Sequence, residues 1–247
     1  MIQFKNIWLW QEDRPVLKDL NFTIKFDERV AILGPSGAGK TTILKLILGL
    51  LFPDSGKVTI DNNDLSQLKA DRLDKIRLKF SIVFQEGALF DSLSVKDNVA
   101  FYYKEHTDLS IDEIDEQVDR LLKTVDLETA GLLMPEQLSG GMKRRVAIAR
   151  SLAVSEAKMN LYDEPTSGLD PINAGIIRSL IVQLATGGKG CIVVTHEIFD
   201  ALMLAYRFIF LKDGFILFDG DKEEFLHSKI PQLQDFLRPY QYIIDRL

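Results

Sequence analysis

The stretch Gly34-Pro35-Ser36-Gly37-Ala38-Gly39-Lys40-Thr41-Thr42 lies between two apolar runs, RVAIL and ILKLILGLLF. Its three glycines let the backbone curl so that successive N–H groups face inward and approach phosphate oxygens closely, and a helix begun at Lys40 adds the positive end of its dipole. In such a loop Lys40 is placed to bridge β- and γ-phosphates and the Thr41 hydroxyl to ligate Mg2+. The spacing G-x-x-x-x-G-K-[ST], after an apolar strand and before a helical run, predicts a nucleoside-triphosphate site.

A metal ion held by one hydroxyl and phosphates needs a carboxylate nearby. Asp163, ending the apolar run KMNLYD, supplies one where parallel strands open their sites, and Glu164 follows it directly. Adjacent residues at a strand end can aim at different points, which gives Asp163 to the Mg2+ shell and Glu164 to polarising the attacking water. Asn160 interrupts the apolar pattern of the same run without an evident partner. A P-loop with this carboxylate pair still fits kinases, GTPases, helicases and transporters. The stretch LSGGMKRR, Leu138 to Arg145, narrows the choice. Ser139 is a good N-cap, Gly140 and Gly141 allow close backbone approach, and MKRRVAIARSLA has the pattern of the helix that follows. Two anion-binding helix starts beside one magnesium constellation imply that the second completes the site of another subunit.

Placing these groups requires an α/β core. Near the N-terminus the β-like segments IQFKNIWLW, LNFTIKF, RVAIL and KVTID are separated by the turn-prone QEDRP, FDE and FPDSG. From about Leu68 to Gly131 the pattern turns to charged helical stretches. In SIDEIDEQVDRLLKTV, Ser110 and Glu113 fit a capping box, and Ile111, Ile114, Val118, Leu121 and Leu122 mark one apolar face. The segment is expected to be a helical lobe inserted into the core, which resumes at Lys158 with MNLYDEP, CIVVTH, FIFLKDG and FILFDG. The final stretch, KEEFLHSKIPQLQDFLRPYQYIIDRL, has apolar residues at roughly helical spacing broken by Pro231 and Pro239. It fits a tail packed on its own domain or one that docks on a partner.

With 247 residues, 46% of them hydrophobic, the chain can bury a sizeable core, and its net charge of −6 argues against wholesale coating of nucleic acid. The single cysteine, Cys191, lies in an apolar run and is expected to be buried and unpaired. The opening MIQFKNIWLW lacks the basic and long apolar segments of a secretory leader. The longest apolar run, Ile43 to Phe52, is interrupted by Lys45 and is half of the ~20 residues that span a bilayer. A chain soluble by itself is expected; work at a membrane would need spanning helices from a partner.

Together these stretches resemble the ATP-binding subunits of ABC transporters over essentially the whole chain. GPSGAGKTT resembles that family's Walker A, NLYDE its Walker B, LSGGM its signature and SGLD its D-loop, while Gln85 of IVFQEGALF fits the Q-loop and His196 of VVTHE the switch histidine. The resemblance implies an α/β fold of the P-loop NTPase type, a RecA-like core with an antiparallel β-subdomain and an inserted α-helical subdomain. It implies one nucleotide-binding domain over residues 1–247, with the helical lobe at about 86–157 and the C-terminal tail at about 222–247. Two such domains would meet head to tail around two ATP, each held by Walker A of one chain, Gly34 to Thr42, and by Ser139, Gly140, Gly141 and Met142 of the other. By the same resemblance ATP and Mg2+ are the cofactors, Glu164, His196 and Gln85 are catalytic, and Thr41, Gln85 and Asp163 hold the metal. Trp10, with Trp8 close by, is the expected aromatic platform for adenine. Met142 stands where glutamine is common, which removes a side-chain hydrogen bond and keeps the backbone cradle.

Family members acting on nucleic acid place coiled coils or large insertions between the Walker motifs, whereas 123 positions separate Lys40 from Asp163 here. Translation-associated members carry two tandem cassettes, and this chain has one. FQEGALFDSLSVKDNVAF and LMPEQLSGGMKRRVAIAR are similar to the Mla/Mce-type phospholipid transport ATPases, with a polar amino-acid importer as the alternative. This implies a homodimer of nucleotide-binding subunits, permease partners in the membrane, an Mce-type lipid-binding protein, no nucleic acid, and a peripheral position on the cytoplasmic side of the inner membrane. In that group the tail can reach the other ATPase subunit. Within Gly87 to Val99, Leu89, Phe90, Leu93 and Val95 are the candidate anchors for a permease helix.

Overall fold

Alternating burial builds the first sheet. In β1 (Ile2–Gln11) the side chains of Ile2 and Phe4, then of Ile7 and Leu9, are buried, the alternation being re-phased by a register shift between Phe4 and Ile7. β1 pairs antiparallel with β2 (Arg14–Ile24), so the expected turn QEDRP shrinks to Glu12 and Asp13 and the strand begins before LNFTIKF. Pro15 is tolerated because β2 is an edge strand, where a missing N–H costs no ladder bond. The chain then crosses to β3 (Arg29–Leu33) and α1 (Lys40–Ile47) before β4 (Ser55–Ile60) and the two-residue β5 (Asn63–Asp64) complete a sheet of order β2-β1-β4-β5. The computed structural model describes residues 1–185 and 188–244.

The remaining elements are α2 (Ala70–Arg77), β6 (Phe80–Val83), α3 (Val95–His106), α4 (Ile111–Thr124), α5 (Gly140–Leu152), β7 (Met159–Asp163), α6 (Pro171–Leu184), β8 (Gly190–Thr195), α7 (Ile198–Leu204), β9 (Arg207–Lys212), β10 (Phe215–Asp221), α8 (Lys222–Leu226), α9 (Pro231–Leu237) and α10 (Gln241–Ile244). They build a second sheet of order β10-β9-β3-β8-β7-β6, parallel throughout except for β10. Its inner strands are apolar without alternation because both faces are covered. In β3, Val30 and Ile32 pack with Ile43, Leu44 and Ile47 of α1 and with the first sheet, while Ala31 and Leu33 pack against α7 and the tail. In β8, Ile192 and Val194 join the first of these clusters; Cys191 and Val193 face the helices α3 to α6. Cys191 is buried and unpaired as expected.

Three local features refine the sequence pattern. β6 lies inside the stretch where the pattern had turned helical, and its four residues FSIV are too few to display a period. It explains Asn160, because Ser81 of β6 stands opposite Asn160 of β7 and its hydroxyl donates to Asn160 Oδ1 at 2.7 Å, pairing two buried polar groups. In α4 the Ser110–Glu113 capping box is present and Ile114, Val118 and Leu122 are buried, but Ile111, in the first turn, is 79% exposed and contributes nothing to the core. In the tail, Phe225, Leu233, Leu237 and Ile244 pack against Phe208 and Phe210 of β9, so the described part of the tail covers its own domain. Pro231 starts α9 and Pro239 sits in a 3₁₀ turn, so the prolines place helix starts. Residues 245–247 of that tail lie outside the described residues. Among the described residues no helix is long and apolar enough to cross a membrane.

Asn98 of α3, with 0% exposure, organises the segment before that helix. Its Oδ1 accepts from the Phe90 N–H at 2.8 Å, and its Nδ2 donates to the carbonyls of Phe90 (3.1 Å), Leu93 (3.0 Å) and Ser94 (3.0 Å). Asn98→Ala leaves the Phe90 N–H and the Leu93 carbonyl without partners, while the Phe90 and Ser94 carbonyls keep the Leu93 and Asn98 N–H groups, and is expected to cost about 2–3 kcal/mol. A urea titration reads this as a lower midpoint with an unchanged slope.

Candidate functional site

α1 begins at Lys40 with Gly39 as its N-cap, in left-handed backbone at φ 100° and without a capping side chain. A Cβ on Gly39 would stand 2.7 Å from Leu17 Cδ2, and one on Gly34 would collide with the Leu211 carbonyl, so the loop packs too closely for any other residue at either place. No acidic residue occupies the first turn of α1. The first-turn N–H groups and the positive end of the helix dipole are thus unopposed beside a cavity of about 320 Å³. Ser36, Gly37, Gly39, Lys40, Thr41 and Thr42 line it, together with Gln85, Glu164 and His196. Pro35 and Ala38 line a hollow on the other flank of the loop, which Ser36 and Gly37 also border.

The ammonium of Lys40, 6% exposed, donates to the carbonyls of Gly34 (2.9 Å) and Pro35 (3.1 Å) and lies 3.4 Å from Glu164 Oε1. The Thr41 hydroxyl donates to Asp163 Oδ1 at 2.9 Å. Burial raises the Asp163 carboxyl above its ordinary pKa and the Glu164 charge acts in the same direction, while the Thr41 hydrogen bond and Lys40 oppose them. The two acids diverge because Glu164 takes a left-handed backbone conformation, φ 47°, just after β7 ends. Its N–H donates to the Val194 carbonyl at 2.9 Å, which holds that conformation in place. Glu164 Oε2 is 2.8 Å from His196 Nδ1 and accepts from the Thr195 hydroxyl (3.3 Å) and the His196 N–H (3.4 Å). Thr195 escaped the sequence reading, although a hydroxyl at the end of an apolar run, next to a histidine, was a usable signal.

Ser139 to Met142 lie apart from this cavity. The Ser139 hydroxyl accepts from the Met142 N–H at 3.3 Å and caps α5, Ser139 and Gly140 are exposed, and Met142 packs partly on the lobe's apolar cluster. Gly141 is needed for packing, since a Cβ there would stand 2.5 Å from Asn173 Oδ1. Gln85 is exposed and borders both the loop cavity and a second one that Gly140 lines. Arg144, a buried charge that the sequence reading passed over, donates to the Phe84 carbonyl at 2.7 Å, tying α5 to the chain just before Gln85. Of the candidate anchors, Val95 is core and Leu89 packs inward, while Leu93 is half-buried. Phe90 stays exposed, 4.6 Å from Phe101 with the Arg150 guanidinium 5.5 Å over its ring, at an open groove of about 340 Å³.

Trp10 is not brought to the cavity. Gln11 and Val16 line it instead, and Trp10 stands 47% exposed. The pairing of β1 with β2 is the reason. Leu9 is paired with Leu17, whose side chain touches the Gly39 position; the register shifts between Leu9 and Trp10, and beyond the shift Gln11 rather than Trp10 reaches the cavity. A base stacked on an aromatic ring is worth about 1–3 kcal/mol, roughly five- to hundredfold in affinity. Trp10→Ala is instead expected to change nucleotide affinity by less than about twofold in a titration with a fluorescent ATP analogue.

A family model described as ABC transporter matches residues 17–167. The intermembrane phospholipid transport system ATP-binding protein MlaF of Haemophilus influenzae is 39% identical over 239 residues, 96% of this chain and 90% of the relative. The glutamate/aspartate import ATP-binding protein GltL of Escherichia coli K12 is 37% identical over 96% of this chain and 98% of its own. Among solved structures, a dimeric post-hydrolysis state of an ATP-binding cassette bound to ADP and Pi superposes with a TM-score of 0.81 at 37% identity, covering 90% of this chain and 98% of that one. A glycine loop with its lysine, a threonine on an aspartate, and a glutamate beside a histidine thus stand in a fold and sequence shared with such cassettes, and the chain belongs to the ABC transporter family.

Proposed function

We propose that this chain is the ATP-hydrolysing subunit of an ABC transporter that moves phospholipid between membranes, working as a homodimer on the cytoplasmic face of the inner membrane. One observation carries the dimer. The cavity with Lys40 contains none of Ser139 to Met142, and the start of α5 is exposed, so each cradle lacks a lid that a second copy can supply. Two copies placed head to tail make two complete sites, in keeping with the dimeric relative that holds ADP and Pi.

The geometry supports a sequence of exchanges. Lys40 rests on two carbonyls and near Glu164, a placeholder arrangement that β- and γ-phosphate oxygens can take over. The His196 ring, now on Glu164, turns to the γ-phosphate, and the freed Glu164 carboxylate orients the attacking water and accepts its proton. The Thr41 hydroxyl, the Asp163 carboxylate and the Gln85 amide are an all-oxygen donor set that fits Mg2+. Bound there, the ion supplies positive charge to the transferred phosphoryl group. Gln85 borders the lobe cavity as well, so a change at the phosphate can move the lobe, and Phe90 in the open groove is the anchor for a permease helix.

The likeness to MlaF supports phospholipid as cargo, the resemblance of FQEGALFDSLSVKDNVAF and LMPEQLSGGMKRRVAIAR to Mla/Mce-type ATPases adds an Mce-type lipid-binding protein as a further partner, and the likeness to GltL supports an amino-acid importer as the second reading. Glu164→Gln is expected to form an ATP-dependent dimer on size exclusion with turnover down by about a hundredfold or more; a monomeric, fully active variant refutes the assignment. Affinity isolation from native membranes is expected to bring down a permease and a lipid-binding protein. Phe90→Ala is expected to abolish permease recovery. An amino-acid-binding partner would decide for the importer.

A further inference from the structure

Two loops leave the same end of the central sheet and hold the site between them: the one after β7, which begins with Glu164, and the one after β8, which begins with His196. They are cross-linked at two levels. At the first, Glu164 meets Thr195 and His196, as described above. At the second, further along both loops, the Thr166 hydroxyl donates to Asp200 Oδ2 at 2.7 Å. Asp200 lies in the first turn of α7 and is 0% exposed, and its other oxygen accepts from Arg178 Nη1 of α6 at 3.0 Å. A carboxylate in the core costs several kcal/mol unless it is paired and hydrogen-bonded. Here it is fully engaged, yet neither it nor Thr166 lines the nucleotide cavity.

The two levels differ in what happens when nucleotide enters. The first uses Glu164 and His196, groups that leave each other for water and phosphate. The second uses no group that meets nucleotide and persists. It therefore ties the His196 loop to Thr166 through Asp170, a segment that ends by capping α6, where Asp170 Oδ1 accepts from the N–H groups of Ile172 and Asn173. That segment abuts the start of α5: a Cβ on Gly140 would touch Leu169, Gly141 faces Asn173, and Arg144 Nη2 lies 3.5 Å from the Ser167 carbonyl. We infer that Asp200 is a positioning residue that makes the two loops move as one, so that the state of the γ-phosphate at His196 is relayed through Thr166 to the exposed start of α5, the surface offered to the second copy. The inference rests on the ATPase reading and adds a relay to it.

Thr166→Val removes one hydroxyl and leaves the Asp200–Arg178 pair to hold the fold, and Thr166→Ser keeps the hydroxyl. At saturating ATP and well below the melting temperature, Thr166→Val of the full chain is expected to lose about tenfold in kcat with KM changed by less than about twofold, and Thr166→Ser to match wild type. Asp200→Ala removes the acceptor of the Thr166 hydroxyl together with the partner of Arg178, and adding Thr166→Val to it should cause no further loss of kcat, since the link is already broken. A staple that only holds α7 in place predicts the reverse, a lower melting temperature with wild-type kcat. Unchanged kcat in Thr166→Val, or losses that multiply in the double variant, overturns the inference. In the Glu164→Gln background, ATP is expected to protect the amides of 166–170 from hydrogen exchange, and Thr166→Val to abolish that protection. Protection that survives Thr166→Val likewise overturns the relay. Absence of any ATP turnover in wild type would strike the ATPase reading instead, and the exchange measurement would still judge the link.

Discussion

A buried ammonium held by two peptide carbonyls is the interaction around which this chain is arranged. Lys40 can be buried only because the loop turns the Gly34 and Pro35 carbonyls toward its ammonium and the end of β7 brings Glu164 to 3.4 Å. Both requirements reach far into the fold. The loop needs β3 behind it and α1 in front, and its glycines are pressed by Leu17 of β2 and the Leu211 carbonyl of β9. The glutamate needs β7 to stop one residue earlier and its left-handed backbone to be held by the neighbouring β8. Asp163 and Glu164 place two buried carboxylates beside Lys40, and the buried Arg144 charge also reaches Asp163.

In the proposed cycle the contacts that nucleotide displaces are those of Lys40 with its own loop and of His196 with Glu164. The two carbonyls on Lys40 and the Thr195 hydroxyl and His196 N–H on Glu164 offset part of the cost of burying these charges. Groups one layer further out behave differently. Arg144, Thr166, Asp200 and Arg178 bond to one another or to peptide carbonyls and touch no part of the cavity, so they set how far a change at the phosphate can travel. Around the helical lobe, Asn98 fastens the segment that carries Phe90, so the exposed ring sits on a fixed base.

Much of the site was legible in the chain itself because its chemistry is local in sequence. A P-loop is nine consecutive residues, the Asp163–Glu164 pair is adjacent, and the Ser110–Glu113 cap spans a single turn; each depends on backbone geometry that neighbouring residues dictate. The strands with long apolar runs were legible for the same reason, since burial on both faces leaves a contiguous signature. Signals were lost where the cause lay across the sheet. Asn160 had no account until Ser81 of a four-residue strand stood opposite it. Trp10 was favoured for its ring, whereas the pairing of β1 with β2 and its register shift decide which residue reaches the cavity, and that residue is Gln11.

The sequence by itself determined a glycine loop of the kind that grips a triphosphate, a carboxylate pair at a strand end, and a second capped helix start, and from these came the expectation of a site shared between two chains. Those are properties of short segments whose conformations follow from residue type. Only the tertiary structure decided which residues line the cavity beside the loop, which anchors remain exposed, that the described tail covers its own domain through Phe225 and Leu233, and that Asp200 reaches Thr166. These depend on packing between elements distant in the chain, where burial and register, set by the sheet as a whole, choose among faces that the sequence leaves equivalent.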